Sequence, residues 1–299
     1  MSILNRIFGK KESAFEHGPV ANSKIDNPLS LQVLFKGGVN LADKELHREF
    51  TTYHPHLSKA TVEIDGQLSD KGTPIGLIGW AGHVIQIIGF DLPMPAEAVE
   101  NCVAPSHYSK ELKDQARAHQ SHLILFYKGN DNNPVNQYAA MALVAGFLSR
   151  YGAVVVTNES ARTSFPASSL CGDAVEGDII ELLASLPLAV LYCGFVKYEV
   201  EGVNGVWLRT YGAPLLGLPD MASLVKDHSA SQSIFDVFSN IFSYLLNSGA
   251  RFAPGNTMQI GEGVHMKLRL PVSEEYYLES EDELFVAEFI SETEINRPG

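Results

Sequence analysis

The sequence predicts an α+β protein made of two ferredoxin-like (split βαβ) halves around one buried linking helix. Three observations carry this. Before residue 133, apolar runs of strand length and helical stretches alternate as strand, helix, strands, helix, strand, the order of the split βαβ motif. A similar order recurs after residue 153, with no sequence repeat that can be aligned. Between them, residues 134–151 are apolar over most of a helix circumference, as a helix enclosed on all sides must be. The expected organisation is a flexible tail at 1–28, a first half at 29–133, the linking helix at 134–152, a second half at 153–273 and an acidic segment at 274–299.

The tail has no sustained period; Ile3, Leu4, Ile7 and Phe8 form at most one amphipathic turn. Residues 31–35 read as a strand. Asp43 caps a helix through about His54, with Leu46 and Phe50 on one face. Residues 60–65 form a short strand, and 75–80 and 84–90 pair around Ala81-Gly82. Pro95 opens a helix, residues 110–119 form another, and 123–127 is an apolar strand closed by the loop 129–133. In the second half, 154–156 is a strand, 175–186 a helix, 188–200 a long strand, and 206–210 a strand after the hairpin signal Gly202-Val203-Asn204-Gly205. Residues 231–247 form an amphipathic helix ending at Gly249. Residues 258–260 and 264–270 pair, 284–290 adds an edge strand, and the rest of the acidic segment is solvated.

Composition bounds the function. Hydrophobic residues are 45% and charged residues 19%, the balance of a folded chain. Lys plus Arg is 22 against 35 Asp plus Glu, a net charge of −13. Phosphate-binding surfaces need an excess of cations, so neither nucleic acid nor an anionic membrane is an expected partner. A basic partner stays open. Cys102, Cys171 and Cys193 are odd in number and far apart, which excludes a disulfide framework and a zinc knuckle and suits thiols of a reducing, cytoplasmic compartment. The opening residues lack the apolar core and cleavage site of a signal peptide. The longest apolar run, 74–90, carries His83, Gln86 and four interior glycines, and reads as two strands and a turn, not a membrane span.

Candidate chemistry is sparse. His107, His119 and His122 could ligate a metal, since His119 and His122 are three residues apart. The helix should yield to the strand near Gln120, however, and turn the two rings apart. His54-Pro55-His56 reads as a pair of surface histidines. Cys171-Gly172-Asp173 could place a thiol at a helix start, but no histidine supports it. Neither Gly-x-Ser-x-Gly nor a phosphate-binding glycine loop occurs. The most specific pattern is Trp207, Arg209 and Tyr211, which alternate on one strand and share a face. These residue types dominate interface hot spots. Val206, Leu208 and Thr210 supply the opposite, core-facing side, which sets Arg209 outward. A guanidinium stacked between aromatics on a sheet surface explains the pattern equally well.

Several segments resemble the bacterial domain of unknown function 4261 family. They are Gly82-His83-Val84-Ile85-Gln86-Ile87-Ile88, Leu92-Pro93-Met94-Pro95, residues 116–124, Leu208-Arg209-Thr210-Tyr211-Gly212-Ala213-Pro214 and Gly217-Leu218-Pro219-Asp220. The resemblance covers roughly residues 30–225. It implies no catalytic residues, because the family has none assigned. Immunity-like or accessory settings for such domains imply binding in preference to chemistry.

The resulting expectation is a non-catalytic cytoplasmic protein that recognises another protein, with no cofactor. Trp207, Arg209 and Tyr211 are the contact, assisted by acidic surface. One alternative is a metal-dependent enzyme or metal-binding protein using His107, His119 and His122. Another is a small-ligand sensor with its pocket between the halves.

Overall fold

The computed structural model describes residues 18–39, 41, 43–65, 75–171 and 179–295. The Ile3–Phe8 turn, Gly172-Asp173 and the first residues of the expected helix 175–186 lie outside these. The chain divides into two compact units: Met1–Glu159 with Thr163–Leu186, and Ser160–Arg162 with Pro187–Gly299. Each holds one sheet and its own helices, a mixed α+β architecture.

The first unit is built on a seven-stranded sheet in the order β2-β3-β4-β5-β1-β6-β7. Its strands are β1 (Ser30–Phe35), β2 (Thr61–Asp65), β3 (Ile75–Trp80), β4 (His83–Phe90), β5 (Ser121–Tyr127), β6 (Ala153–Asn158) and β7 (Thr163–Pro166). Every pairing in it is antiparallel. Residues 154–156 were expected to open a second half; they lie in β6, which pairs with β1. β1 therefore has antiparallel neighbours on both sides, where a split βαβ motif would give it a parallel one. Residues 31–35 are all buried, so β1 reads as an apolar run interrupted only by Gln32, and its pattern does not reveal which strands flank it.

Helices α1 (Asp43–Tyr53), α2 (Ala96–Val103), α3 (Lys110–Arg117), α4 (Pro134–Phe147) and α5 (Ile179–Ser185) belong to this unit. Leu34 and its cross-strand partner Val155 share a core with Val99 and Val103 of α2 and Ala116 of α3. α4 packs against β1, β4, β5 and α5. Asn133 caps it by accepting a bond from the Val135 N–H at 2.9 Å, and Pro134 occupies its first turn. All residues from Tyr138 to Phe147 are buried, the all-round burial its composition predicts. The last turn, Leu148–Tyr151, tightens to a 3₁₀ helix before Gly152. A Cβ on Gly146 would come within 2.2 Å of the Leu170 carbonyl oxygen, so only glycine permits this approach.

Residues 18–25 were expected to be part of a tail, but they dock on the sheet. Pro19 lies over Gly79, Ala21 packs with Leu77 and Val84, and the Asn22 N–H donates to the Lys128 carbonyl at 2.8 Å. The Lys128 ammonium returns a bond to the Ile25 carbonyl at 2.7 Å.

The second unit is built on a six-stranded sheet in the order β11-β12-β13-β10-β9-β8. Its strands are β8 (Gly194–Tyr198), β9 (Val206–Tyr211), β10 (Asp220–Val225), β11 (Thr257–Gly261), β12 (Val264–Arg269) and β13 (Leu284–Ser291). β13, expected at an edge, lies inside the sheet, parallel to β10 and antiparallel to β12. The expected long strand 188–200 is a short helix, Leu188–Leu191, followed by β8. Pro187 starts that helical turn, and apolar residues alone do not separate it from a strand. Helix α6 (Ser231–Ser248) ends at Gly249 in the left-handed conformation. Its Phe235 and Phe238 make edge contacts with Phe195 of β8.

Candidate functional site

Antiparallel partners sit on one face of a sheet, and Tyr198 pairs with Trp207 while Val196 and Ala222 flank Arg209. Trp207, Arg209 and Tyr211 thus share a face, as their alternation predicts. That face is covered. Trp207 is 1% and Arg209 3% exposed. Trp207 packs with Ala222, Leu278, Leu284 and Val286, and its ring centroid lies 5.7 Å from that of Tyr277. The cover is the 3₁₀ turn Ser273–Leu278, part of the segment expected to be solvated. The outward orientation expected for Arg209 is therefore corrected: Tyr277 and Leu278 supply a second apolar layer that the acidic residues around them conceal in the sequence.

Arg209 is buried without a carboxylate bound to it among the described residues. Its Nη1 and Nη2 both donate to the Glu279 carbonyl at a long 3.4 Å, and its Nε has no partner. Its guanidinium lies 4.3 Å from the Tyr211 ring centroid. Tyr211, half-buried, is the open end of the row. The guanidinium of exposed Arg162 approaches the same ring to 4.1 Å. Arg162 has φ +48°, a left-handed conformation unusual for a residue with a side chain. Gly194 and Gly212 make room for the adjoining Ala161: a Cβ on Gly194 would fall 1.7 Å from the Ala161 carbonyl oxygen, and one on Gly212 3.0 Å from Ala161 Cα.

Beneath this end lies a buried polar pair. The Thr210 hydroxyl and the Ala213 N–H donate to Asp220 Oδ1 at 3.0 and 3.2 Å. Burial pushes the Asp220 carboxyl up to about 6, against the opposing pull of those bonds and of the Arg209 charge. Burial likewise raises the Cys193 thiol well above its ordinary value, which keeps it protonated and unreactive.

The histidines form no ligand set. His119 has both ring nitrogens engaged, Nε2 accepting from the Met94 N–H at 2.8 Å and Nδ1 donating to the Ala116 carbonyl at 2.7 Å. His122 Nδ1 donates to the Leu92 carbonyl at 2.8 Å, and its ring stacks on Phe90. The rings were expected to turn apart; they meet edge to face, 6.5 Å between centroids. Burial lowers the pKa of both. His107 is exposed. Among the described residues no group of three or more His, Cys, Asp or Glu is placed to hold a metal ion. His54 Nδ1 accepts from the His56 N–H, a local turn contact. Cys171 is half-buried and accepts a bond from the Tyr53 hydroxyl at 3.4 Å.

Arg162 and Asp220 were not singled out from the sequence. Arg162 is more than 40 residues from Tyr211 along the chain, and nothing local marks the pairing. Asp220 stands in the Gly-Leu-Pro-Asp segment, which signals a turn but not a buried carboxyl.

The family model for a domain of unknown function, DUF4261, matches residues 209–284. The resemblance read from the sequence is shown over that stretch, which runs from Arg209 to the start of β13. Of the segments that suggested it, the two between Leu208 and Asp220 fall in or at the edge of the match. No curated protein and no solved structure matches the chain. No described helix is long and apolar enough to cross a membrane.

Proposed function

We propose that this is a non-catalytic protein that recognises another protein through Tyr211 and Arg162, with Arg209 and Trp207 of the same row as their buried backing. The observation that supports this is the placement of Tyr211 against two guanidinium groups, at 4.1 and 4.3 Å. The ring and Arg162 reach solvent, while Arg209 and Trp207 are rigid backing beneath them. Residues held in one geometry before binding lose little entropy on association, and Arg and Tyr are the types that carry interface energy. The left-handed φ of Arg162 fits a side chain held in place for use. A cytoplasmic location is supported by three cysteines that form no disulfide.

The test is affinity capture from extracts of the source organism, quantified in parallel for the wild type, Tyr211→Ala and Arg162→Ala. Saturable capture of one protein that drops by about tenfold or more in both variants, with unchanged melting temperature, supports the reading. Capture that survives both changes, or no saturable capture, overturns it.

A further inference from the structure

The second unit carries an open groove whose lining side chains are not those of the Tyr211 cluster. The chain between β12 and β13 borders an open groove of about 540 Å³. Leu270, Val272 and Tyr276 line it and are 53, 49 and 75% exposed. Large apolar side chains scattered singly are ordinary on a surface, but three on one groove form a patch. Glu279, Asp282 and Glu283 also line it and are exposed. No lysine or arginine does so among the described residues, and no described cation pairs with these three carboxylates. Glu275, the fourth acid on the groove, is held by Arg269 at 2.6 Å.

We propose that this groove docks a cationic, amphipathic peptide segment of a partner protein. An aliphatic or aromatic side chain of the segment packs on Leu270, Val272 and Tyr276. Flanking lysines or arginines meet Glu279, Asp282 and Glu283. Anionic partners are excluded by like charge, and a purely apolar partner would leave the acidic rim unanswered. The floor is fixed: Leu278 and Leu284 are buried, and Arg269 anchors Glu275, so the groove exists before the partner arrives.

The full chain is titrated calorimetrically with a short lysine-rich peptide carrying leucines and one phenylalanine, and with a matched peptide whose apolar residues are serines. Three variants are compared. One is Glu279→Gln with Asp282→Asn and Glu283→Gln; the second is Val272→Ser with Tyr276→Ser. The third removes equal charge elsewhere on the surface, at Glu45, Glu97 and Glu111, each to Gln. All eight positions are exposed, and melting curves check that the fold is kept. If Val272→Ser with Tyr276→Ser fails to fold, Tyr276→Ser alone replaces it. The expected result is saturable binding of the apolar peptide that weakens by about tenfold or more in the first two variants and by less than about twofold in the third. The serine peptide should bind about tenfold more weakly to the wild type. Equal loss in the third variant, indifference to Val272 and Tyr276, or no saturable binding overturns the proposal.

Discussion

Arg269 holds Glu275 through two parallel bonds, Nη1 to Oε2 at 2.7 Å and Nη2 to Oε1 at 2.6 Å, while its Nε bonds Glu288 at 2.6 Å. The pair ties the Ser273–Leu278 turn to β12 and β13, and so holds Tyr277 and Leu278 over Trp207.

Glu275→Gln should therefore cost about 1.5–3 kcal/mol in urea unfolding at neutral pH, the range for hydrogen bonds to charged groups. Hydrogen bonds from Arg269 hold the Glu275 carboxyl below its ordinary value of 4.5. A depressed carboxyl contributes stability above its unfolded pKa and loses it as pH falls through the folded one. The gap between wild type and variant should shrink on acidification below 4.5, as urea melts across that range would show; a gap independent of pH would detach the turn from this ion pair.

Asp220 behaves in the opposite sense. Its carboxyl is raised from 3.8 to about 6. The protonated form then favours the folded state, and that contribution is lost as pH rises from 3.8 through 6. Asp220→Asn keeps an oxygen for Thr210 and Ala213 without the buried charge. It should raise stability by up to about 3 kcal/mol at neutral pH and by almost nothing below pH 4. Denaturant midpoints of the two proteins across this range decide; a destabilised variant at neutral pH would mean that the charge itself is needed.

Removing residues 1–28 takes away Pro19, Ala21 and the Asn22–Lys128 bond. The shortened chain should unfold about 1–3 kcal/mol more easily, at about 2–4 °C per kcal/mol for a chain of this size. An unchanged scanning-calorimetry midpoint would return these residues to the status of a tail.

Ala142→Asp sets a carboxylate inside a helix whose residues from Tyr138 to Phe147 are all buried. The loss should be several kcal/mol, comparable with the stability of a whole domain, and the protein should fail to accumulate in soluble form. A soluble variant with an unshifted melting curve would contradict the enclosure of α4.

Legibility followed the range of the interaction. α4 is readable because its cap, its proline and its apolar circumference are all local. The β3–β4 hairpin is readable because Ala81-Gly82 turns between two apolar runs, and the face of Trp207, Arg209 and Tyr211 follows from alternation alone. The partner of β1 was not readable, because a strand buried on both sides carries no sign of its neighbours. The interior place of β13 was hidden by the acidic residues before it. The cover over Arg209 was missed for the same reason: Tyr277 and Leu278 sit among five acids between 274 and 282, and composition there outweighed the two side chains that pack. Arg162 meets Tyr211 only once the chain has folded.

The interior, parallel position of β13 orders events during synthesis. β10 pairs with residues 284–286, and β12 pairs with residues up to 291. While the ribosome has not yet released this stretch, the hairpins β8–β9 and β11–β12 can form, but two strands facing an empty lane keep their backbone groups and apolar side chains unpaired. The first unit can close much earlier, because its sheet needs nothing beyond residue 166. The nascent chain therefore passes through a stage with one finished sheet and one split sheet, and shielding of the split one by a chaperone matters most until residues 284–291 have left the ribosome.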